Sequence, residues 1–244
     1  MIRVLHRKGE IPAARAQLAR QGLDFTDARR LRLWRAIYRV RFRAPMPPAD
    51  PMKSWDVLQA LDVLRAHAPP PDAPVLDMGC YNSEVLWALH ALGYRDLAGC
   101  DLNPLSRLMP FWHRIRYVTG DLTRTPFPDA RFAAITCLSV IEHGVPLEPL
   151  VREVRRLLRP SGVFVFTTDF DASGARHDID PAFRAFGQTW TIFDRAGLEA
   201  VCGRFLAEGF RWLDGGPREW THAERPVHWN DQDYTFALAA LRAP

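Results

Sequence analysis

The hydrophobic positions of the chain follow two patterns that alternate along its length. Short continuous apolar runs are typical of strands buried on both faces of a parallel sheet, whereas apolar residues spaced three or four apart are typical of covering helices. Because the two patterns alternate, the sequence predicts a doubly wound, mostly parallel α/β fold. The short runs predict seven strands, at 75–76, 97–100, 115–119, 133–138, 163–168, 210–214 and 234–241.

The helical spacing predicts six helices, several of them with Pro near the start or Gly after the end. They are expected at 11–21, 24–42, 55–67, 84–92, 149–158 and 193–208. The last two strands follow each other without a helical stretch between them. They are therefore expected to form a hairpin, which gives the sheet one antiparallel edge.

The stretch 74–101 is the part of this pattern that indicates chemistry. It reads as strand, tight turn, helix and strand, and it ends on Asp101. An acidic residue that closes the second strand of such a unit is the layout used to bind a nucleoside. A dinucleotide is disfavoured, because Tyr81 stands where the second glycine of G-x-G-x-x-G lets the backbone approach a pyrophosphate. Asp121 follows the next strand and offers a second carboxylate at the same edge.

Three motifs resemble class I S-adenosylmethionine (SAM)-dependent methyltransferases. They are Asp77-Met-Gly79 of the pattern D-x-G-x-G-x-G, Pro126-Phe-Pro-Asp before a strand, and Ser139-Val-Ile-Glu-His143 after it. Tyr81, Ser83 and Ala133 depart from the usual residues. The resemblance implies a seven-stranded sheet in the order 3-2-1-4-5-7-6 with the last strand antiparallel, SAM as cofactor, and S-adenosyl-L-homocysteine as product.

The resemblance also implies which residues hold the cofactor. Asp101 would hold the ribose hydroxyls, Asp121 would accept from the adenine amino group, and Leu122 would pack on the adenine ring. Tyr81 and Asn82 would border the methionine end, since they occupy the turn after the first strand. The full expected set is Asp77, Gly79, Cys80, Tyr81, Asn82, Asp101, Leu102, Asp121, Leu122, Leu138 and Ser139.

His143 is the candidate catalytic residue, because it follows the fourth strand and imidazole titrates near neutrality. It would take the proton of a hydroxyl acceptor, or it would only orient the acceptor. Glu142-His143 could instead be a structural pair at a helix start. His222 and His228 are weaker alternatives for the base.

Two long polar segments, 169–191 and 215–230, are expected to be acceptor-site loops, because such loops in a compact domain are usually functional or mobile. His177 and the aspartates of the first segment could ligate a metal. No ligand spacing there is diagnostic, so a solvated acidic loop is favoured and no metal is predicted.

Charge is concentrated at the start of the chain. Residues 1–43 hold twelve Arg or Lys against three Asp or Glu, although the whole chain carries a net charge of only +4. With the proline-rich segment 44–51, this predicts a basic helical extension (1–51) before a core domain (52–244). Such a helix either meets a membrane surface or phosphate-bearing partner, or packs on its own domain with a solvated arginine face, which is favoured. A homo-oligomer formed through these helices is also compatible with the pattern.

Composition also limits where the protein can reside and which metal sites it can contain. No apolar run approaches the roughly 20 residues that span a bilayer, and the first residues lack the apolar region of a signal peptide. The four cysteines show no metal-binding spacing. We therefore expect a cytoplasmic protein without a membrane span or structural zinc.

These observations predict a SAM-dependent methyltransferase with a small-molecule acceptor, acting by O-methylation in a bacterial glycan or secondary-metabolite pathway. Two alternatives stay open. One is a catalytically silent SAM-fold protein that binds a partner through its basic helices. The other is a nucleic-acid methyltransferase that uses the same basic segment. The sequence contains no N/D-P-P-Y-type motif, which disfavours nucleic acid as the acceptor.

Overall fold

The computed structural model describes residues 1–27, 31–43, 46, 49–67, 73–185, 187–213 and 218–244. Within these ranges lies one mixed sheet, formed by β1 (Ile2–Val4), β2 (Val75–Met78), β3 (Leu97–Asp101), β4 (Ile115–Thr119), β5 (Phe132–Leu138), β6 (Leu158–Phe170), β7 (Arg211–Trp212), β8 (Val227–Trp229) and β9 (Gln232–Arg242). Five predicted features lie partly outside these ranges: the helix 24–42, the linker 44–51, the strand 210–214 and the loops 169–191 and 215–230.

The predicted fold class is confirmed. Strands β2 to β6 run parallel in the order β4-β3-β2-β5-β6, and β9 pairs antiparallel with β6. The strand order differs in detail from the prediction beyond β9. There β1 pairs with residues 237–239 and β7 with residues 241–242, while β8 forms a hairpin with the start of β9. The sheet therefore has nine strands rather than the predicted seven.

Strand β1 places the N-terminus in the sheet, which the sequence analysis did not predict. Ile2 and Val4 are buried, and the N-terminal ammonium donates to the carbonyl oxygens of Leu213 (3.3 Å) and Ala240 (3.2 Å). Three residues are too few to show the alternation that identifies a strand. The first 51 residues thus begin with a strand, and the division of the chain at residue 51 stays a prediction.

Strand β6 begins earlier than predicted, at Leu158 rather than at Val163. Its pairing with β5 jumps from Leu158 opposite Phe132 to Val163 opposite Ala134. The segment 159–162, which separates the predicted helix 149–158 from the predicted strand 163–168, therefore lies inside the strand as an irregularity. Ser161 adopts φ of +64° there, a conformation more usual for glycine.

Helices cover both faces of the sheet: α1 (Glu10–Arg20), α2 (Arg32–Ile37), α3 (Ser54–His67), α4 (Val85–Ala91), α5 (Leu147–Leu157) and α6 (Arg195–Ala207). Helices α1, α3 and α4 pack into one core, and α5 and α6 into the other. Because side chains alternate along a strand, the neighbours Val75 and Leu76 belong to opposite cores. Among the described helices, none is long and apolar enough to cross a bilayer.

Helix α2 packs on the domain through its apolar stripe. The predicted helix 24–42 begins only at residue 32 and continues as a π-helical turn, Tyr38–Phe42. Trp34 and Tyr38 are buried, and the Trp34 ring lies 5.0 Å from that of Phe111. The arginines face solvent: Arg32, Arg35, Arg39, Arg41 and Arg43.

A buried ion pair joins α1 to the start of α4. The Arg15 guanidinium donates to both carboxylate oxygens of Glu84, at 2.9 and 2.7 Å. Its Nε donates to Ser54 Oγ at 2.9 Å, and it also pairs with Asp24 at 3.2 Å. Glu84 is only 2% exposed. One guanidinium therefore fixes α1, α3 and the start of α4 relative to one another.

We expect Arg15→Ala to lower the free energy of unfolding by about 3–5 kcal/mol, because it leaves the Glu84 carboxylate buried without its partner. Urea unfolding of the variant and the wild type measures the difference. Arg20→Ala removes an exposed arginine from the same helix and should change this free energy by less than about 0.5 kcal/mol. Equal losses in the two variants would contradict the role of the ion pair.

Candidate cofactor and acceptor site

The turn after β2 packs directly against the turn after β5. Gly79 has φ of +80°, and its amide donates to Cys100 O at 2.8 Å. A Cβ at this position would overlap the side chain of Val140. Glycine is therefore required both by the left-handed backbone and by the close approach.

Asp101 ends β3 and holds the same turn. Its Oδ2 accepts from the Tyr81 amide at 2.9 Å, and its Oδ1 accepts from the Asn103 amide at 2.7 Å. Burial raises the pKa of Asp101, against the lowering effect of these two amides. Each oxygen keeps a further lone pair, so the carboxylate can accept from ligand hydroxyls while it fixes the turn.

Asp77 and Cys80 support the turn from within the sheet. Asp77 is fully buried, and its Oδ1 accepts from Thr136 Oγ1 at 2.7 Å, which ties β2 to β5. Burial raises the pKa of Asp77 to about 6. Cys80 is 1% exposed. Both side chains therefore support the turn from within the sheet, and their expected cofactor role stays a prediction.

Three buried oxygens at this edge have no hydrogen-bond partner among the described residues: Asp77 Oδ2, Asn82 Oδ1 and Thr119 Oγ1. Asn82 lies in the turn after β2, and Thr119 ends β4. A buried acceptor without a donor costs about 1–3 kcal/mol, and native proteins contain few of them. Such atoms are what a site for a donor-bearing ligand would present.

Asp121 lies beside Asp101 at the ends of adjacent strands. It is exposed, and its Oδ1 accepts from both the amide and the hydroxyl of Thr123, each at 2.8 Å. The amide of Gly120 donates to Asp101 O at 2.9 Å, which connects the two acidic segments. Both carboxylates thus follow neighbouring strands of the same sheet edge.

The two leucines that follow these acids differ in exposure. Leu122 is 6% exposed and packs in the core, whereas Leu102 is 58% exposed. Leu102 therefore has the larger free apolar surface on which a ring could lie. The predicted contact between Leu122 and an adenine ring stays a prediction.

Leu138 ends β5, and Ser139 follows it with φ of +51°. The Ser139 amide donates to Thr167 O and to Thr167 Oγ1, each at 3.1 Å. Its hydroxyl accepts from Lys53 Nζ at 2.6 Å and donates to Asp56 Oδ2 at 3.2 Å. Ser139 therefore links the end of β5 to residues from the N-terminal part of the chain.

Three charged residues that the sequence analysis did not select meet Glu142 at this point: Lys53, Asp56 and Asp169. Lys53 Nζ lies 3.8 Å from Asp56 Oδ2 and 4.0 Å from Asp169 Oδ1. The three carboxyl groups are each no more than 3% exposed, and burial raises the pKa of each of them. Asp169 carries a sequence signal, since it follows the apolar run 163–168. Asp56 carries none, because it lies among apolar residues of a helix.

His143 lies next to this group, and burial together with the charge of Lys53 lowers its pKa to about 4. The imidazole is therefore neutral at pH 7 and is a weak proton acceptor. Of the alternative histidines, His222 is only 5% exposed in its side chain and contacts Asp171, and His228 pairs with Asp233 on an exposed hairpin.

The predicted acceptor loops are joined by one aspartate. Asp171 lies 2.9 Å from His177 Nε2 and 2.9 Å from His222 Nε2, and it pairs with Arg225 Nε at 3.0 Å. An open cleft of about 570 Å³ lies beside it, lined in part by residues 190–194. In the described part of the chain, no group of three or more His, Cys, Asp or Glu has the arrangement of a metal site.

Fold and site together define a Rossmann-like domain with a candidate nucleoside-binding edge. The glycine turn, the two acidic strand ends and the unpaired acceptors all lie at the carboxyl edge of a parallel sheet, beside the position where the strand order reverses. Ligands of open α/β sheets bind at this position.

Comparison with known proteins finds methyltransferases among the similar sequences and folds. Residues 76–166 match the family model described as "Methyltransferase domain". The malonyl-[acyl-carrier protein] O-methyltransferase of Halorhodospira halophila is 27% identical over 179 residues, which are 69% of this chain and 58% of that protein. The sterol 24-C-methyltransferase of Yarrowia lipolytica is 28% identical over 120 residues, which are 44% of this chain and 32% of that protein.

A solved structure of a geranyl diphosphate methyltransferase in complex with SAM has the same fold, with a TM-score of 0.58 at 17% identity over 79% of this chain and 87% of that one. Residues 76–166 therefore resemble a methyltransferase domain, and the chain shares the Rossmann-like fold of class I SAM-dependent methyltransferases. It spans between about a third and three fifths of the length of the two relatives named above.

We expect Gly79→Ala to be more destabilising than Gly93→Ala. Both glycines have positive φ, +80° and +91°, so both variants lose about 1–3 kcal/mol through backbone strain. Only residue 79 adds an overlap with Val140, whereas nothing lies within 4 Å of a Cβ at 93. Overpacking of this kind costs a further 1–3 kcal/mol or so.

Chemical denaturation of both variants measures the difference. Val140→Ala combined with Gly79→Ala should recover the part of the loss that comes from the overlap. If the double variant were no more stable than Gly79→Ala, the close approach of the two turns would not be the cause.

Proposed function

We propose that this protein binds SAM and transfers its methyl group to an oxygen atom of a small-molecule acceptor. The observation that carries the proposal is the edge formed by the turn after β2 and Asp101. It presents hydrogen-bond acceptors, including the unpaired Asn82 Oδ1, where a ligand would place ribose hydroxyls and an ammonium group. The bulky Tyr81 in the same turn is unsuited to a pyrophosphate.

We propose that different residues bind different parts of SAM. Asp101 would hold the ribose hydroxyls, Asp121 the adenine amino group, and Asn82 Oδ1 the ammonium group at the methionine end. Bound SAM supplies the electrophilic methyl group, and the protein contributes position and a dry pocket. Leu102 and Leu138 have the partly exposed apolar surface needed to exclude water from the rings.

We propose the acceptor by its chemical class: it is a small molecule of a glycan or secondary-metabolite pathway in the cytoplasm of a bacterium. Two of the matched proteins support a small acceptor, since one is named a sterol methyltransferase and the other a geranyl diphosphate methyltransferase. A third matched protein is named an O-methyltransferase. The arginines of α2 face solvent and could contact a second copy of the chain. A homo-oligomer formed through these helices therefore stays a prediction.

We expect SAM and its demethylated product to bind in isothermal titration, and Asp101→Asn to weaken SAM binding by about 10- to 100-fold. Hydrogen bonds to a charged acceptor contribute about 1.5–3 kcal/mol, and the substitution removes the charge. Asp96→Asn is the matched control, because Asp96 precedes the same strand at its opposite end and pairs with Arg131. Absence of SAM binding to the wild type would reject the proposal and favour a catalytically silent protein.

We propose that His143 orients the acceptor and is not the general base. Removal of a general base usually costs 10²- to 10⁴-fold in rate. We therefore expect His143→Asn to raise KM and to lower kcat by less than about tenfold.

A base with a pKa of about 4 would produce a rate that rises up to about pH 5 and is flat above it. The pH profile of kcat/KM for His143→Asn should accordingly keep the shape of the wild-type profile. Loss of an acidic limb near pH 4, with a large fall in kcat, would instead assign the base role to His143.

A further inference from the structure

Lys53, Asp56, Glu142 and Asp169 form a group that we term the Lys53 cluster. Each of its carboxyl groups has one oxygen held by the protein: Asp56 Oδ2 by Ser139 Oγ (3.2 Å), Glu142 Oε2 by Thr168 Oγ1 (3.2 Å) and Asp169 Oδ2 by Trp190 Nε1 (2.8 Å). These bonds fix the orientation of all three carboxyl groups.

The second oxygen of each carboxyl group is buried and meets no donor in good hydrogen-bond geometry within the described residues: Asp56 Oδ1, Glu142 Oε1 and Asp169 Oδ1. The hydroxyls of Thr167 and Tyr234 also interact with the carboxyl groups of Asp56 and Asp169. Buried polar atoms are nearly always paired, so three unpaired acceptors in one place require an explanation. A ligand that brings hydrogen-bond donors provides one.

The charge of Lys53 determines which kind of hydrogen-bond donor a ligand could bring to these carboxyl oxygens. Lys53 Nζ donates to Ser139 Oγ, and its distances to Asp56 and Asp169 (3.8 and 4.0 Å) are ion-pair distances, too long for hydrogen bonds. An ammonium has three N–H donors, so the cluster offers donors as well as acceptors. A second cation would be repelled by Lys53, whereas a hydroxyl can donate to a carboxyl oxygen and accept from the ammonium.

The cluster lies next to the cofactor turn. Ser139, which contacts both Lys53 and Asp56, precedes Val140, and the Val140 side chain packs against Gly79. Lys53 is the partly solvent-facing member, with 30% of its side chain exposed. A molecule that enters past Lys53 would therefore meet the carboxyl groups beside the cofactor site.

We propose that the Lys53 cluster is the acceptor subsite and that it binds a polyhydroxylated acceptor of the sugar or polyol type. The methylation of this acceptor rests on the proposed function, but its binding does not. Hydroxyl groups would donate to Asp56 Oδ1, Glu142 Oε1 and Asp169 Oδ1, and at least one would accept from Lys53 Nζ.

The same cluster can take the proton of the reacting hydroxyl. The O–H bond breaks, its proton passes to Asp56 Oδ1 to form a carboxylic acid, and the hydroxyl oxygen keeps the electron pair. Burial raises the pKa of Asp56 to about 7, which suits a group that gains and loses a proton near neutral pH.

Ligand-observed NMR titrations without cofactor test the proposal, with two six-membered-ring probes. We expect myo-inositol, which has only hydroxyls, to bind the wild type, and Lys53→Met and Glu142→Gln each to weaken binding at least tenfold. Cyclohexylamine, which has only an ammonium, should bind more weakly than inositol. Stronger binding of cyclohexylamine, no binding of inositol, or unchanged binding in both variants would overturn the proposal.

A SAM titration on the same samples distinguishes failure of the acceptor subsite from failure of the methyltransferase function. If SAM binds and inositol does not, only the acceptor subsite is refuted. If inositol binds as expected and SAM does not, the subsite stands and the methyltransferase function falls.

Thermal unfolding shows whether Glu142 is merely structural. We expect Glu142→Gln to leave the melting temperature unchanged or raise it, because it removes a buried carboxyl group with an unpaired oxygen. Glu153→Gln is the matched control, since both oxygens of Glu153 are held by Thr125 and Arg156, and it should lower the melting temperature. An equal fall in both variants would overturn the assignment of Glu142 to a ligand site.

Discussion

The buried pair of Arg15 and Glu84 is the interaction on which the site depends. It fixes the N-terminal helices over the start of α4, directly after the turn that carries Gly79 and Asn82. The same guanidinium contacts Ser54, the first residue of α3, and Asp56 lies two residues further on. Because Lys53 and Asp56 flank Ser54, the same contact also positions two residues of the proposed acceptor subsite.

The proposed cofactor edge and the Lys53 cluster differ in how completely their carboxyl oxygens are hydrogen-bonded. At the cofactor edge, both oxygens of Asp101 accept from amides, so the carboxylate is stabilised before a ligand arrives. At the Lys53 cluster, each carboxyl group keeps one oxygen unpaired, and burial shifts its pKa upward. Such an arrangement costs stability in the free protein, as is common at functional sites. A ligand whose hydroxyls pair with these oxygens would recover that cost on binding.

The sheet and the cofactor edge could be predicted from the sequence, because their signals are local. The run at 75–76, the glycine at 79 and the acid at 101 each follow from a short pattern. Strand β1 could not be predicted, since three residues show no periodicity and their pairing with β9 joins opposite ends of the chain. Asp56 was missed for a related reason: its burial depends on helix packing, and its apolar neighbours in sequence hide it.

The position of the family match explains why the fold alone does not identify the acceptor. The match covers residues 76–166, which include Asp77, Gly79, Asp101 and Asp121. Lys53, Asp56 and Asp169 lie outside it. The residues proposed to hold the nucleoside are therefore within the shared part of the chain, whereas most of the Lys53 cluster is not. Since one fold supports many reactions through sites placed on it, acceptor chemistry must be argued from these residues and not from the match.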